Sequence, residues 1–366
     1  MFVLPNTRDA ALVALFGRHG FVRSDVAVLQ PSEPFIELSG EDIRRRLFLV
    51  SDTAGEETCL RPEFTIPAAR AHIASAKAKD VAGYGFLGPV FRQRTEGSGE
   101  FLQASVELFG RKDIEAADAD MLAFAIEAEA VLGGKGLTIR IGDVGLTAAL
   151  IEALELPAVV ARRVRQNGFS QSGAETASTN SSPSGLAAYQ GVLSALRGAD
   201  PAEARAFVKD ILSIAGLKAV GGRTAGEIAD RFLEKAADDG TGLSMEQAEI
   251  LRRFKTISGD PDAVTAELRV LADFAGLDMT EALDRFEQRT GFMAARGIDL
   301  SRLEMSTAFA RNLDYYSGFV FEFVTKAGER PAIAGGRYDA LLRRLGAADT
   351  PAIGCAIWLE RFGEPA

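Results

Sequence analysis

An α+β fold interrupted by a helical domain is the architecture that this 366-residue sequence predicts. Three observations carry the prediction. Residues 1–157 alternate helical apolar spacing with short period-two segments. Residues 158–300 turn Ala-rich and mostly helical in pattern, broken by loops such as QSGAETASTNSSPSG and DDGTG. Strand patterns then resume at residue 303 with LEMSTAFA. A helical block between two sheet-forming segments reads as an insertion, here 158–299, within a core of 1–157 and 300–366. The length suits one large domain or two ordinary ones.

Taken in order, residues 9–19 (DAALVALFGRH) have helical spacing and meet a C-capping Gly20. VAVLQP predicts a strand stopped at Pro31. RLFLVSD and EETCLRP predict two strands around a turn at 53–55. FTIPAARAHIASAKA predicts a helix, with Pro67 tolerated in its first turn. LGPVFRQR and FLQASVELFG then predict two strands joined by TEGSG. A helix over 116–132 and a strand over 137–144 follow. Within the insertion, AEARAFVKDILSIAGL and AVTAELRVLADFAGL carry i, i+3, i+4 apolar spacing and a late glycine. Near the end, FVFEF predicts a strand, and PAIGCAIWLERF a strand running into a short helix.

Composition narrows the function classes. Lys and Arg total 41 against 51 Asp and Glu, a net charge of −10 that works against binding a phosphate backbone. Cys59, Cys355, His19 and His72 are the whole soft-ligand inventory, so neither a structural metal nor another cofactor is expected. The start MFVLPNTRDA lacks a basic region followed by an apolar core, and no apolar run approaches membrane length. The expected setting is the reduced cytoplasm.

Two stretches hold the candidate chemistry. In FLQASVELFG, period two places Phe101, Gln103, Ser105 and Glu107 on one strand face, either solvent-exposed or lining a polar pocket. In ARNLDYYSGFVFEF, Arg311 precedes the Tyr315–Tyr316 pair and a strand with Phe319, Phe321 and Phe323 in phase. Arg forks onto carboxylates, and Tyr offers a ring face and a hydroxyl. The tyrosines fit sheet packing as well as a ligand site.

Five segments in order resemble the class II aminoacyl-tRNA synthetases of the histidyl type. CLRPEFTIPAAR resembles the segment that reads the amino group, and GPVFRQR with FLQASVELFG resembles motif two. RNLDYYSGFVFEF and AGGRYDALLRRLG resemble the two histidyl-specific segments, and AIGCAIWLERF resembles motif three. The resemblance implies an antiparallel sheet flanked by helices, usually dimeric. Motif one, which forms the dimer interface in that family, is the weakest match, with Pro31 as the nearest proline. It further implies that Glu63, Thr65 and Gln103 hold an α-amino group. Glu107 and Tyr316, beside Tyr315, would hold an imidazole, and Arg311 would approach a carboxylate. The implied ligand is free histidine.

The nucleotide side departs from the family pattern. Arg92 and Arg361 match its two arginines, but Arg94 stands where an acid is expected, and TEGSG is short and lacks basic residues. Trp358 replaces a small glycine, filling space that a nucleotide needs. The sequence stops directly after motif three, so no anticodon-binding domain is expected. A kept amino-acid pocket beside an impaired ATP site is similar to the regulatory subunits of ATP phosphoribosyltransferase. That resemblance implies a non-catalytic chain that joins the short-form catalytic subunit in a hetero-oligomer. Histidine would act as the feedback effector in the first step of histidine biosynthesis, with neither nucleic acid nor membrane as partner. Two other readings stay open: an enzyme making histidyl-adenylate for an acceptor other than tRNA, and a stand-alone histidine-binding protein.

Overall fold

Period-two apolar segments pair into a sheet because only pairing satisfies their backbone groups while one or both faces are buried. The computed structural model describes residues 7–38, 41–51, 57–94, 97–134, 136–157, 243–309, 315–324 and 330–362, with a few further positions between 55 and 224. The chain divides into two units, Met1–Leu154 with Ile250–Ala366, and Glu155–Glu249.

The first unit opens with α1 (Thr7–Arg18), β1 (Val22–Arg23) and β2 (Leu29–Pro31). Helices α2 (Glu33–Leu38) and α3 (Glu41–Arg44) follow, then β3 (Leu49–Ser51), β4 (Glu57–Leu60) and α4 (Thr65–Ile73). The hairpin strands are β5 (Ala82–Phe91) and β6 (Glu100–Phe109). Next come α5 (Ile114–Val131), β7 (Thr138–Asp143) and α6 (Val144–Ala153). In the second unit, β8 (Ala219–Val220) and β9 (Arg223–Thr224) form an antiparallel pair. After α7 (Met245–Thr256) come β10 (Ser258–Gly259), α8 (Pro261–Ala275) and α9 (Thr280–Ala295). The chain closes with β11 (Leu303–Ser306), β12 (Phe319–Val324), β13 (Ile333–Arg337), α10 (Ala340–Arg344) and β14 (Ala352–Trp358).

Nine strands form one sheet in the order β1-β5-β6-β14-β13-β12-β7-β11-β10. Its pairings are antiparallel except β1 with β5 and β7 with β11, which are parallel. A second small sheet pairs β2-β4-β3. The fold is therefore the expected α+β sheet flanked by helices, mixed at two positions. Strand β5 starts upstream of LGPVFRQR, because Tyr84 and Gly85 find partners in Glu107 and Val106 that no local pattern reveals. The helices of FIELSGEDIRRR were not anticipated, since six- and four-residue helices are too short for periodicity to register.

Residues 250–299, which composition places in the insertion, lie in the first unit. Their apolar stripes explain why. Leu283, Phe286 and Met293 of α9 are buried, and α9 packs along α5 of the sheet domain. Helix α8 reads directly from sequence. Asp260 accepts from the backbone N–H groups of Asp262 and Ala263, Pro261 follows, and Gly276 closes the helix at φ 63°. Apart from Ala206 and Asp210, which are helical, AEARAFVKDILSIAGL lies outside the described residues. Among the described residues, no helix is long and apolar enough to cross a membrane.

Candidate functional site

Strand β6 carries the row that sequence spacing singled out, and the row is buried: Phe101, Gln103, Ser105 and Glu107 are each no more than 5% exposed. That removes the solvent-exposed alternative. A carboxylate so deep needs partners, and Glu107 has three. Its Oε1 accepts from Thr65 Oγ at 2.8 Å and Ser105 Oγ at 2.7 Å, and its Oε2 accepts from the Tyr338 hydroxyl. All three donors are neutral. Burial therefore dominates and pushes the Glu107 carboxyl up to about 8, with the hydroxyls pulling the other way and Glu63 adding repulsion.

Glycines make this arrangement possible at two places. Gly354 on β14 sits opposite Glu107, and a Cβ there would lie 1.9 Å from Oε2. Gly336 on β13 sits opposite Gly354, and its missing Cβ leaves room for the Tyr316 ring, 2.9 Å from where that atom would be. Tyr315 meets Tyr316 edge-on at 5.0 Å and stacks on Tyr338 at 5.5 Å. The tyrosine pair thus packs against the core beside the shell of Glu107.

Glu63 stands at the start of α4. It accepts from the backbone N–H of Thr65 and, at 3.0 Å, from that of Ile66, which places a carboxylate on the positive end of the helix. Burial raises its carboxyl, and those N–H groups oppose the rise. Gln103 differs from every other member of the set. It is 1% exposed, and both of its amide atoms lack a partner among the described residues. A buried amide left unmet is uncommon and marks a place for water or ligand. Arg311 lies outside the described residues.

The predicted nucleotide residues gather at the far end of the row. Arg92 Nε donates to Pro62 O at 2.8 Å, and its guanidinium lies 5.6 Å from the Phe101 ring centre. Arg94, on the same ring at 4.1 Å, pairs with Glu360 at 2.9 Å. Arg361 lies 4.5 Å over the Trp358 indole and donates to Pro331 O. Trp358 is 7% exposed and pairs across the sheet with Gln103.

One member of the set escaped the sequence reading. Tyr338 completes, with Ser105 of the period-two row, the shell of Glu107, and its one signal is that it continues the face of Gly336 in AGGRYD. Nothing local links Tyr338 to a carboxylate 231 residues away.

The profile of the histidyl-tRNA synthetase family matches residues 6–206 and 207–362. ATP phosphoribosyltransferase regulatory subunits are similar along nearly their whole length. The one from Allorhizobium ampelinum is 40% identical over 96% of this chain and 95% of its own, and that from Mesorhizobium japonicum is 38% identical over the same shares. Among solved structures, an ATP phosphoribosyltransferase regulatory subunit/histidyl-tRNA synthetase from Bacillus halodurans superposes with TM-score 0.65 at 19% identity, covering 97% of this chain and 77% of that one. Histidyl-tRNA synthetase from Nostoc gives TM-score 0.64 at 19% identity, covering 97% and 69%. At such identities the structures show the shared fold alone.

Proposed function

The chain belongs to the family of ATP phosphoribosyltransferase regulatory subunits, built on the histidyl-tRNA synthetase fold, and from that premise we propose that its buried pocket senses free histidine. Its role in histidine biosynthesis is regulatory and non-catalytic, and its partner is the catalytic subunit of that enzyme. In the proposal that partner is the short form, which needs this chain for activity and receives feedback inhibition through it. Effector and partner are then linked by a coupling free energy between two sites.

The carrying observation is Glu107, a buried carboxylate with hydroxyl partners and, among the described residues, no cation beside it. An imidazole would supply the missing charge by taking the proton that burial holds on the carboxyl. Gln103, with its amide unmet, stands where the α-amino group would lie, with Glu63 and Thr65 at the helix start. Tyr315 and Tyr316 wall the ring, and Arg311 is assigned to the carboxylate. Arg361 stacked on Trp358, and Arg94 paired with Glu360, support a nucleotide site turned inward rather than one open to a triphosphate. This argues against adenylate formation. Self-dimerisation, which the family implies, is part of the same proposal.

Calorimetry with histidine, on the chain alone and with its catalytic subunit, tests the reading. Binding is expected in at least one of the two, and Glu107→Ala should weaken it by about tenfold or more, the loss of a charge-assisted contact. No histidine response in either sample would remove the sensor reading. A Glu107→Ala complex inhibited as strongly as the unchanged one would remove the pocket assignment.

A further inference from the structure

Trp358 carries another buried polar group on this face that no described residue satisfies. Its Nε1 lacks a partner among the described residues, although the residue is 7% exposed. Indole N–H is a donor only, so its partner must be an acceptor. In register, Trp358 stands directly across from Gln103, so both side chains leave the same face of the sheet. Two neighbouring residues, one from β6 and one at the end of β14, thus offer unmet N–H groups to the same space. Leaving both unmet would cost the folded chain free energy, and an anion or a neutral oxygen would recover it.

Charge separates those two partners. The Arg361 guanidinium lies 4.5 Å over the Trp358 ring and makes this end of the row positive. The other end holds Glu107, four residues along β6 and about 13 Å away by strand rise. A row with a carboxylate at one end and N–H donors under a cation at the other is matched to a molecule of opposite polarity. Such a molecule has a protonatable ring facing Glu107 and a carboxylate facing Trp358.

We infer that the Trp358 indole N–H donates to the α-carboxylate of the amino acid held by Glu107, making Trp358 a residue that selects for a free carboxylate. The residue that fills the former nucleotide space thereby becomes part of the effector site. This rests on the histidine reading above and adds to it. Ligands that keep the imidazole and amine but carry no oxygen acceptor in place of the carboxylate, such as histamine, lose this contact.

The test is calorimetry of the chain with its catalytic subunit, using histidine and histamine on the unchanged protein and on Trp358→Phe. Histidine should bind at least tenfold more tightly than histamine. Trp358→Phe should weaken histidine about tenfold while leaving histamine unchanged, which also shows that the variant site is intact. Equal weakening of both ligands, or of neither, would overturn the inference while leaving the sensor reading standing. Absence of histidine binding to the unchanged protein would remove both. Trp358 is the only tryptophan of the chain, so its fluorescence gives a second readout. Saturating histidine should shift its emission, and an unchanged spectrum at saturation would count against the contact.

Discussion

Strand β13 separates two buried acid clusters that have opposite completeness. On one face, Asp118 of α5 accepts from Arg289 Nε at 2.8 Å and from Arg337 Nε at 2.8 Å. Arg289 also reaches Asp143 at 2.5 Å, and Arg337 reaches Asp339 at 2.9 Å. Against the pull of burial, Asp143 and Asp118 hold the Arg289 guanidinium above its ordinary value. On the other face, Glu107 has, among the described residues, three hydroxyls and no cation. The first cluster is closed and fastens α5, α9 and β13 together. The second is open to a positive group from outside. Equal burial therefore does not mean equal purpose, and the missing counter-charge is what separates a brace from a binding site.

Breaking the closed cluster should have the largest effect. Arg289→Met leaves Asp118 and Asp143 short of a cation and should lower unfolding free energy by about 3–5 kcal/mol in denaturant titration. Where the variant remains folded, its histidine affinity should be unchanged, because Arg289 lies on the opposite face from Glu107. A loss of affinity without a loss of stability would erase the distinction between the clusters.

The open cluster should show itself in pH rather than in stability at a single pH. The folded chain keeps a proton on Glu107 up to about 8, whereas the unfolded chain releases it near 4.5. Stability from this group is thus full below pH 4.5 and is lost as pH rises through 8. Relative to Glu107→Gln, the unchanged protein should lose up to about 4 kcal/mol between pH 5 and 8. Saturating histidine should flatten that slope by supplying the cation. Parallel pH profiles for the two proteins would show that Glu107 is ionised without help.

Tyr338→Phe is the smallest change. It removes one neutral donor from Glu107 and should lower stability at pH 8 by about 1 kcal/mol, less at pH 5, where the carboxyl is protonated. An effect larger at pH 5 would mean that the Tyr338 contact serves the neutral acid.

Much of this was readable from local pattern. The period-two row of Gln103, Ser105 and Glu107 and the Phe319, Phe321, Phe323 strand followed from spacing, and both are buried strands. The closed cluster was not readable, because Asp118, Arg289 and Arg337 are far apart in sequence and each looks like an ordinary surface charge until the sheet and helices bring them together. The end of the inserted unit was missed for a related reason. An Ala-rich amphipathic helix reads the same whether its apolar face meets an insertion or, as in α9, the main domain.

Residue type and period determine that β6 presents a polar row, that Pro31 ends a strand, and that Asp260 and Gly276 bound a helix, since each depends only on a few neighbouring residues. Tertiary structure alone decides that the row is buried, that Tyr338 and Thr65 meet on one carboxylate, and that Trp358 faces Gln103. Those outcomes depend on strand order and on two glycines, Gly336 and Gly354, that let backbone and side chain approach across strands distant in sequence. Burial is a property of the assembled sheet, and it is burial that turns an ordinary glutamate into one awaiting a cation.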